Sequence, residues 1–189
     1  MKKSTWILIG IAAVIVIWAI SGYNGLVNKD EKVSETFSQL DNTYKRRADL
    51  IPNVVETVKG YAKHEKEVFE GVTQARSALM GAKTVKAAAE AEATMTSALS
   101  RVFAIAEAYP QLKADSNFLK LQEQLQDVED KIQASRRFYN AGAKELNTKI
   151  KTFPTNVINK LIGHFKTRDY FEVAETERAK IEAAPDVKF

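Results

Sequence analysis

The sequence predicts an all-α chain, with an N-terminal transmembrane helix, an antiparallel up-and-down four-helix bundle and a short C-terminal helix. Three observations carry that expectation. A charge-free run of 20 residues, Ser4 to Tyr23, follows Lys2 and Lys3. From Val33 onward, apolar residues recur at alternating steps of four and three, the spacing of helix packed on helix. Only 4 Pro and 8 Gly stand among 189 residues, which argues against a loop-rich all-β chain.

The first element follows from length. At 1.5 Å per residue, a run of this size reaches about 30 Å, the thickness of a hydrocarbon core. Both tryptophans, Trp6 and Trp18, lie near the ends of the run, and Tyr23 closes it, where amphipathic rings favour the headgroup region. Residues 1–23 are therefore expected to form a membrane anchor and 24–189 the body. A cleaved signal peptide is the competing reading, because two Lys, an apolar core and Ala19-Ile20-Ser21 fit that template; signal cores of about 7 to 15 residues are shorter than this run. The positive-inside rule leans toward a cytoplasmic N-terminus and an extracytoplasmic body, with Lys2 and Lys3 facing only Lys29 and Lys32 nearby.

The body reads as three seams. The first passes through Val33, Phe37, Leu40, Tyr44, Arg47, Ile51, Val54 and Val58 and continues through Glu65 to Leu79. The second runs from Val85 through Glu92 to Tyr109, and the third from Phe118 to Leu146. Gly81 followed by Thr84 separates the first two. Tyr109-Pro110 ends the second, and Asp115-Ser116-Asn117 offers caps for the next helix. Pro52 interrupts the first seam chemically without breaking its phase. A hairpin at Asp49 to Pro52 is expected, because a rod from 28 to 80 would leave Val33, Phe37, Leu40 and Tyr44 without a partner, and Pro suits an early helical position. With that hairpin, Glu31 and Glu35 come level with Arg136 and Arg137, and Arg46 and Arg47 with Glu123 and Asp127. Phe153-Pro154 stops the last long helix, and a short apolar helix over 157–165 follows, with Tyr170 and Phe171 expected to cover one end of the bundle.

Chemistry is scarce. With no Cys and two His, thiol nucleophiles, disulfides and thiolate zinc sites are excluded. Neither His64 nor His164 has a Glu at minus three, so the helical di-iron pattern is missing. No phosphate-cradling Gly loop, nucleophile elbow or dinucleotide fingerprint is present. No catalytic residue, cofactor or metal is expected. The net charge of +4 does not indicate a nucleic-acid partner, since 24–189 hold 26 basic against 24 acidic residues. Glu65 at a seam position is read as a register-setting carboxylate. Lys45, Arg46 and Arg47 are read as ion-pairing partners at a helix rim, with an anionic-lipid patch as the sharper alternative. The closing segment, with Val187 and Phe189, has the alternation of peptides captured by strand addition.

Several segments together resemble one family. They are Tyr23-Asn24-Gly25-Leu26-Val27, Arg46-Arg47-Ala48-Asp49-Leu50-Ile51-Pro52-Asn53 and Val58-Lys59-Gly60-Tyr61-Ala62-Lys63-His64-Glu65. Glu107-Ala108-Tyr109-Pro110, Arg136-Arg137-Phe138-Tyr139-Asn140, Phe153-Pro154 and Pro185-Asp186-Val187-Lys188-Phe189 follow in order. This series is similar to the LemA family of bacterial membrane-anchored helical proteins, with a departure at Gly163-His164-Phe165. The resemblance implies a single-pass anchor and an antiparallel four-helix bundle, and no reaction, ligand or catalytic residue. The expected function is a membrane-tethered, non-enzymatic interaction or scaffold protein of the bacterial envelope with an unknown protein partner. The alternative is a lipid or envelope-surface binder using Lys45–Arg47 and the apolar C-terminal segment.

Overall fold

In the computed structural model, which describes residues 3–172, every described element is helical. Helix α1 (Lys3–Lys59) is followed by α2 (Lys66–Gly81), α3 (Val85–Ala108), the single turn α4 (Pro110–Lys113) and α5 (Ser116–Lys151). A short α6 (Thr155–Ile158) runs into a π-helical turn, Asn159–Gly163. The local signals for these boundaries operate as expected. The Thr84 hydroxyl accepts from the Ala87 N–H at 3.2 Å to start α3. Pro110 stands at the start of α4, where a missing N–H is harmless. Asp115 Oδ1 accepts from the N–H groups of Asn117 and Phe118, both at 2.9 Å, to start α5.

The hairpin expected at Asp49 to Pro52 is not formed. Helix α1 continues through Pro52 for 57 residues in all, and the reversal comes at 60–65. The unbroken seam is thus the true record of the helix. Pro52 is exposed, while Ile51, Val54, Val55 and Val58 stay buried around it. Its missing N–H would have served the carbonyl of Ala48, and that oxygen accepts instead from Arg76 Nε at 2.7 Å. The early part of the seam does find a partner, because α5 is 36 residues long. The expected level pairing slips with the hairpin: Arg136 meets Tyr44, about two and a half turns beyond Glu35.

The chain divides into two compact units, with α1 and α5 contributing to both. One comprises the described residues up to Gln39 together with Arg137–Asp169. Here Leu26 and Val33 of α1 and Tyr139, Ala143 and Leu146 of α5 are buried. A Cβ added to Gly142 would lie 3.6 Å from Val33 Cγ2 and 3.9 Å from Val33 Cα, so the missing side chain lets the two backbones approach closely. Phe37 packs edge-on to Tyr139 with ring centroids 5.8 Å apart, and Lys29 pairs with Glu145.

Beyond α5 the chain turns back on the same unit. Ile158 of α6 is buried against Gly22, and Phe165 lies 6.0 Å from Tyr23 between ring centroids. Two asparagines tie this return. Asn159 Nδ2 donates to the carbonyl of Phe165 at 3.0 Å and its Oδ1 accepts from the Phe165 N–H at 2.8 Å. Asn147 treats Arg168 the same way, at 2.8 Å for both bonds. His164 at φ 52° makes the left-handed step that closes the π-helical turn.

The other unit comprises Leu40–Arg136 with the described residues from Tyr170 onward. Its core is drawn from Leu40, Ile51, Val54 and Val58 of α1, Phe69, Val72 and Leu79 of α2, Met95, Leu99 and Val102 of α3, and Leu125, Val128 and Ile132 of α5. The reversal between α1 and α2 is fastened to the start of α5 by Tyr61, whose hydroxyl donates to Asp115 Oδ2 at 2.9 Å.

Candidate functional site

The densest polar arrangement in the described residues is inside the second unit. Heptad spacing places Tyr44 and Arg47 on one face of α1, Glu92 and Thr96 one turn apart on α3, and Glu129 and Arg136 two turns apart on α5. Arg47 Nη1 donates to Glu92 Oε1 at 2.9 Å and to Glu129 Oε2 at 2.7 Å, and its Nη2 donates to Thr96 Oγ1 at 3.2 Å. Thr96 in turn donates to Glu92 Oε1 at 3.1 Å. Arg136 takes the other oxygen of Glu92, Oε2, and donates from Nε and Nη2 to the Tyr44 hydroxyl, both at 3.2 Å. Its guanidinium also stands 5.4 Å from the centroid of the buried Phe171 ring; Phe171 thus meets the interior of α5, not a helix end as expected, and Tyr170 is exposed.

Two arginines and two glutamates make this cluster formally neutral. The side chains of Arg47 and Glu92 are 5% and 8% exposed, and each faces an opposite charge, the arrangement that offsets the cost of burying them. Burial pushes the Tyr44 hydroxyl above its ordinary value, with the Arg136 charge opposing. Burial also pulls Arg136 down, but the Glu92 charge and Tyr44 outweigh it, and the guanidinium is held above its ordinary value. The cluster joins three helices through geometry that a slip by one residue would break. Among the described residues, no group of three His, Asp or Glu side chains is arranged to hold a metal ion.

Glu65, the seam carboxylate of the sequence, lies in the reversal before α2, and Glu92 is the acid that meets Arg47. Lys45 and Arg46 are exposed on α1, while Arg47 points into the network. Arg46 does lie near Asp127, whose carboxyl is held below its ordinary value by the Lys131 hydrogen bond first and by the Lys131 and Arg46 charges with it. Val187 and Phe189 lie outside the described residues. Two surface grooves also line the second unit. One, of about 730 Å³, is bordered by Lys59, Lys63, Lys66, Phe69 and Glu70; the other, of about 570 Å³, runs along small residues of α2 and α3, including Gly71, Ala75, Ala78 and Ser97.

The model of the LemA family matches residues 36–189. The chain belongs to that family. Among curated proteins, it is 27% identical to Protein LemA of Metamycoplasma hominis over 162 residues, covering 85% of this chain and 74% of the relative. It is 26% identical over 176 residues to magnetosome protein MamQ 2 of Paramagnetospirillum magneticum, and 25% identical over 175 residues to magnetosome protein MamQ of Magnetospirillum gryphiswaldense. Each of those alignments covers 79% of this chain and 64% of the relative, so the chain spans under two thirds of the magnetosome proteins' length.

In this LemA-family chain, the matched region begins within α1. The same helix contains, nearer its start, the one described segment long and apolar enough to cross a membrane. Its most apolar window of 18 residues has a mean hydropathy of 2.2, and none of that window is buried against the rest of the protein. Trp6, Ile9, Val14, Ile17 and Trp18 are all exposed. An apolar helical stretch with no buried residue supports membrane localisation.

Proposed function

We propose that this protein is a membrane-tethered, non-enzymatic interaction module, with residues 1–23 as a single-pass anchor and 24–189 as an antiparallel up-and-down helical body that engages a protein partner at the bacterial envelope. The observation that carries this reading is the apolar window of α1 with none of its residues buried, alongside buried charges that, among the described residues, neutralise one another. The first feature calls for lipid; the second favours a rigid body over a reactive site. The body faces the extracytoplasmic side on this reading.

The test is photo-crosslinking in native membranes from positions on the body, read by mass spectrometry, with an accessibility assay on a C-terminal tag in intact cells. Recurrent recovery of the same partner from neighbouring positions, lost on substitution of those positions, supports the reading. Recovery of the monomer alone under several growth conditions overturns it. A second reading, favoured by the exposed neighbours Lys45 and Arg46, is a lipid-surface binder using those two residues with the apolar C-terminal segment; Arg47, buried in the ion-pair network, drops out of that patch. Flotation of residues 24–189 with anionic vesicles, lost on Lys45→Gln with Arg46→Gln, would support it; unchanged flotation would remove the basic pair from it.

A further inference from the structure

We infer that residues 153–165, the arm formed by α6 and the π-helical turn, are a second membrane-contacting element: a wedge seated in the headgroup and upper acyl region beside the end of the membrane-spanning part of α1. The inference rests on the reading of residues 4–23 as a span. The arm has two sides. On one, Ile158 is buried on Gly22 and Phe165 meets Tyr23, so the arm is fastened where the apolar run ends and the water interface begins. On the other, Phe153, Val157, Leu161 and Ile162 are 80%, 43%, 72% and 56% exposed. An apolar surface of this kind, fastened beside an apolar stretch of α1 whose most apolar window holds no buried residue, has the hydrocarbon boundary as its natural cover.

Charge and rigidity point the same way. Between 149 and 168 the chain carries Lys149, Lys151, Lys160, Lys166 and Arg168, and no acid. Arg168 is engaged by Asp30 at 2.7 Å, whereas Lys151, Lys160 and Lys166 are exposed. Apolar side chains alternating with free ammonium groups are the composition of an interfacial element that rests on anionic headgroups. The Asn159 clamp on Phe165 and the Asn147 clamp on Arg168 fix the arm's shape without lipid, so little ordering is needed on insertion.

The chain's lack of Cys allows a direct test in the full-length protein. Single variants Leu161→Cys and Ile162→Cys, with Ile15→Cys in the span and Glu123→Cys on the body, would each carry a nitrobenzoxadiazole label in phosphatidylcholine vesicles with and without phosphatidylglycerol. The expected result at 161 and 162 is blue-shifted emission, quenching by shallow nitroxide lipids and protection from aqueous iodide, with protection rising as phosphatidylglycerol is added. Glu123→Cys should behave as water-exposed. Aqueous emission with full iodide quenching at 161 and 162, while Ile15→Cys is quenched by lipid, overturns the wedge and leaves the span standing. Aqueous emission at Ile15→Cys as well overturns the span and the wedge with it. Lipid quenching at 161 and 162 that ignores phosphatidylglycerol keeps the apolar contact and overturns the role of the lysines.

Discussion

Arg76 donates from Nε to the carbonyl oxygen of Ala48 at 2.7 Å, the oxygen that Pro52 deprives of its helical donor. A residue on α2 thereby repairs a defect in α1, and α1 passes through a proline that local chemistry alone would place at a helix end. The two positions are predicted to be coupled. Arg76→Met should destabilise the protein by about 1–3 kcal/mol, because a buried carbonyl loses its partner. In a Pro52→Ala background, where residue 52 regains its N–H, the same substitution should lose less. Chemical denaturation of the four variants in detergent gives the coupling energy, expected at about 1 kcal/mol; a value of zero would detach Arg76 from the continuity of α1.

The Arg47 network makes an asymmetric prediction. Arg47 and Glu92 are almost fully enclosed, while Glu129 retains 25% of its side-chain exposure and can be hydrated where it stands. Removing Arg47 as Arg47→Met leaves Glu92 with Arg136 but takes away its second cation, and the expected loss is about 3–5 kcal/mol. Glu129→Gln keeps an acceptor for Arg47 and leaves Glu92 in place, so its loss should be smaller, about 1 kcal/mol. Urea unfolding of both variants ranks them; equal losses would show that the cluster is not organised around Arg47.

How far this was legible from sequence differs by element. The ends of α2 and α3 and the start of α5 were readable because their causes are local: Thr84 and Asp115 cap the helices they precede. The end of α1 was not, because the donor that rescues Ala48 lies 28 residues away on another helix. The polar network was half visible. Arg47 and Glu92 are charged residues at seam positions, a departure that pattern alone reveals, whereas Glu129 and Arg136 stand off the seam and only folded geometry brings them in. The C-terminal arm was visible as an apolar stretch, but its seat against Gly22 and Tyr23 depends on two asparagine side chains with no periodic signature.

Asp115 supplies the pH dependence. Its carboxyl accepts from the Phe118 N–H first, then from the Tyr61 hydroxyl and the Asn117 N–H, and these bonds hold it below the ordinary Asp value of 3.8. The folded state therefore binds this proton less readily than the unfolded state does. The stabilisation is present above the unfolded value, near pH 4, and is lost as pH falls through the lowered folded value. Asp115→Asn keeps the capping oxygen and removes the ionisation. Its stability should change less than that of the unsubstituted protein between pH 5 and pH 2, as read by thermal unfolding across that range; parallel curves would assign the acid sensitivity elsewhere. At the alkaline end, Tyr61 is held above its ordinary value by the Asp115 hydrogen bond, so its contribution is present below about pH 10 and lost above it.

Asn147 is 5% exposed and uses both ends of its carboxamide on the backbone of Arg168, replacing a strand partner with a side chain. The neighbouring bonds are weaker holds: Arg168 pairs with Asp30 at a partly exposed site, and the Tyr139 hydroxyl donates to the Asp169 carbonyl at 3.1 Å. Asn147→Ala removes both amide bonds and leaves the part-buried N–H and carbonyl of Arg168 to find water, a loss of about 1 kcal/mol that falls on the return segment before the helices. Trypsin should then cut after Lys166 and Arg168 faster than in the unsubstituted protein, while sites within α3 and α5 keep their rates. Asn147→Asp preserves the acceptor for the Arg168 N–H but sets a carboxylate oxygen against the Arg168 carbonyl, so it should not restore protection. Cleavage at 166 and 168 that is equally slow in all three proteins would mean that apolar seating on Gly22 and Tyr23 holds the segment without the clamp.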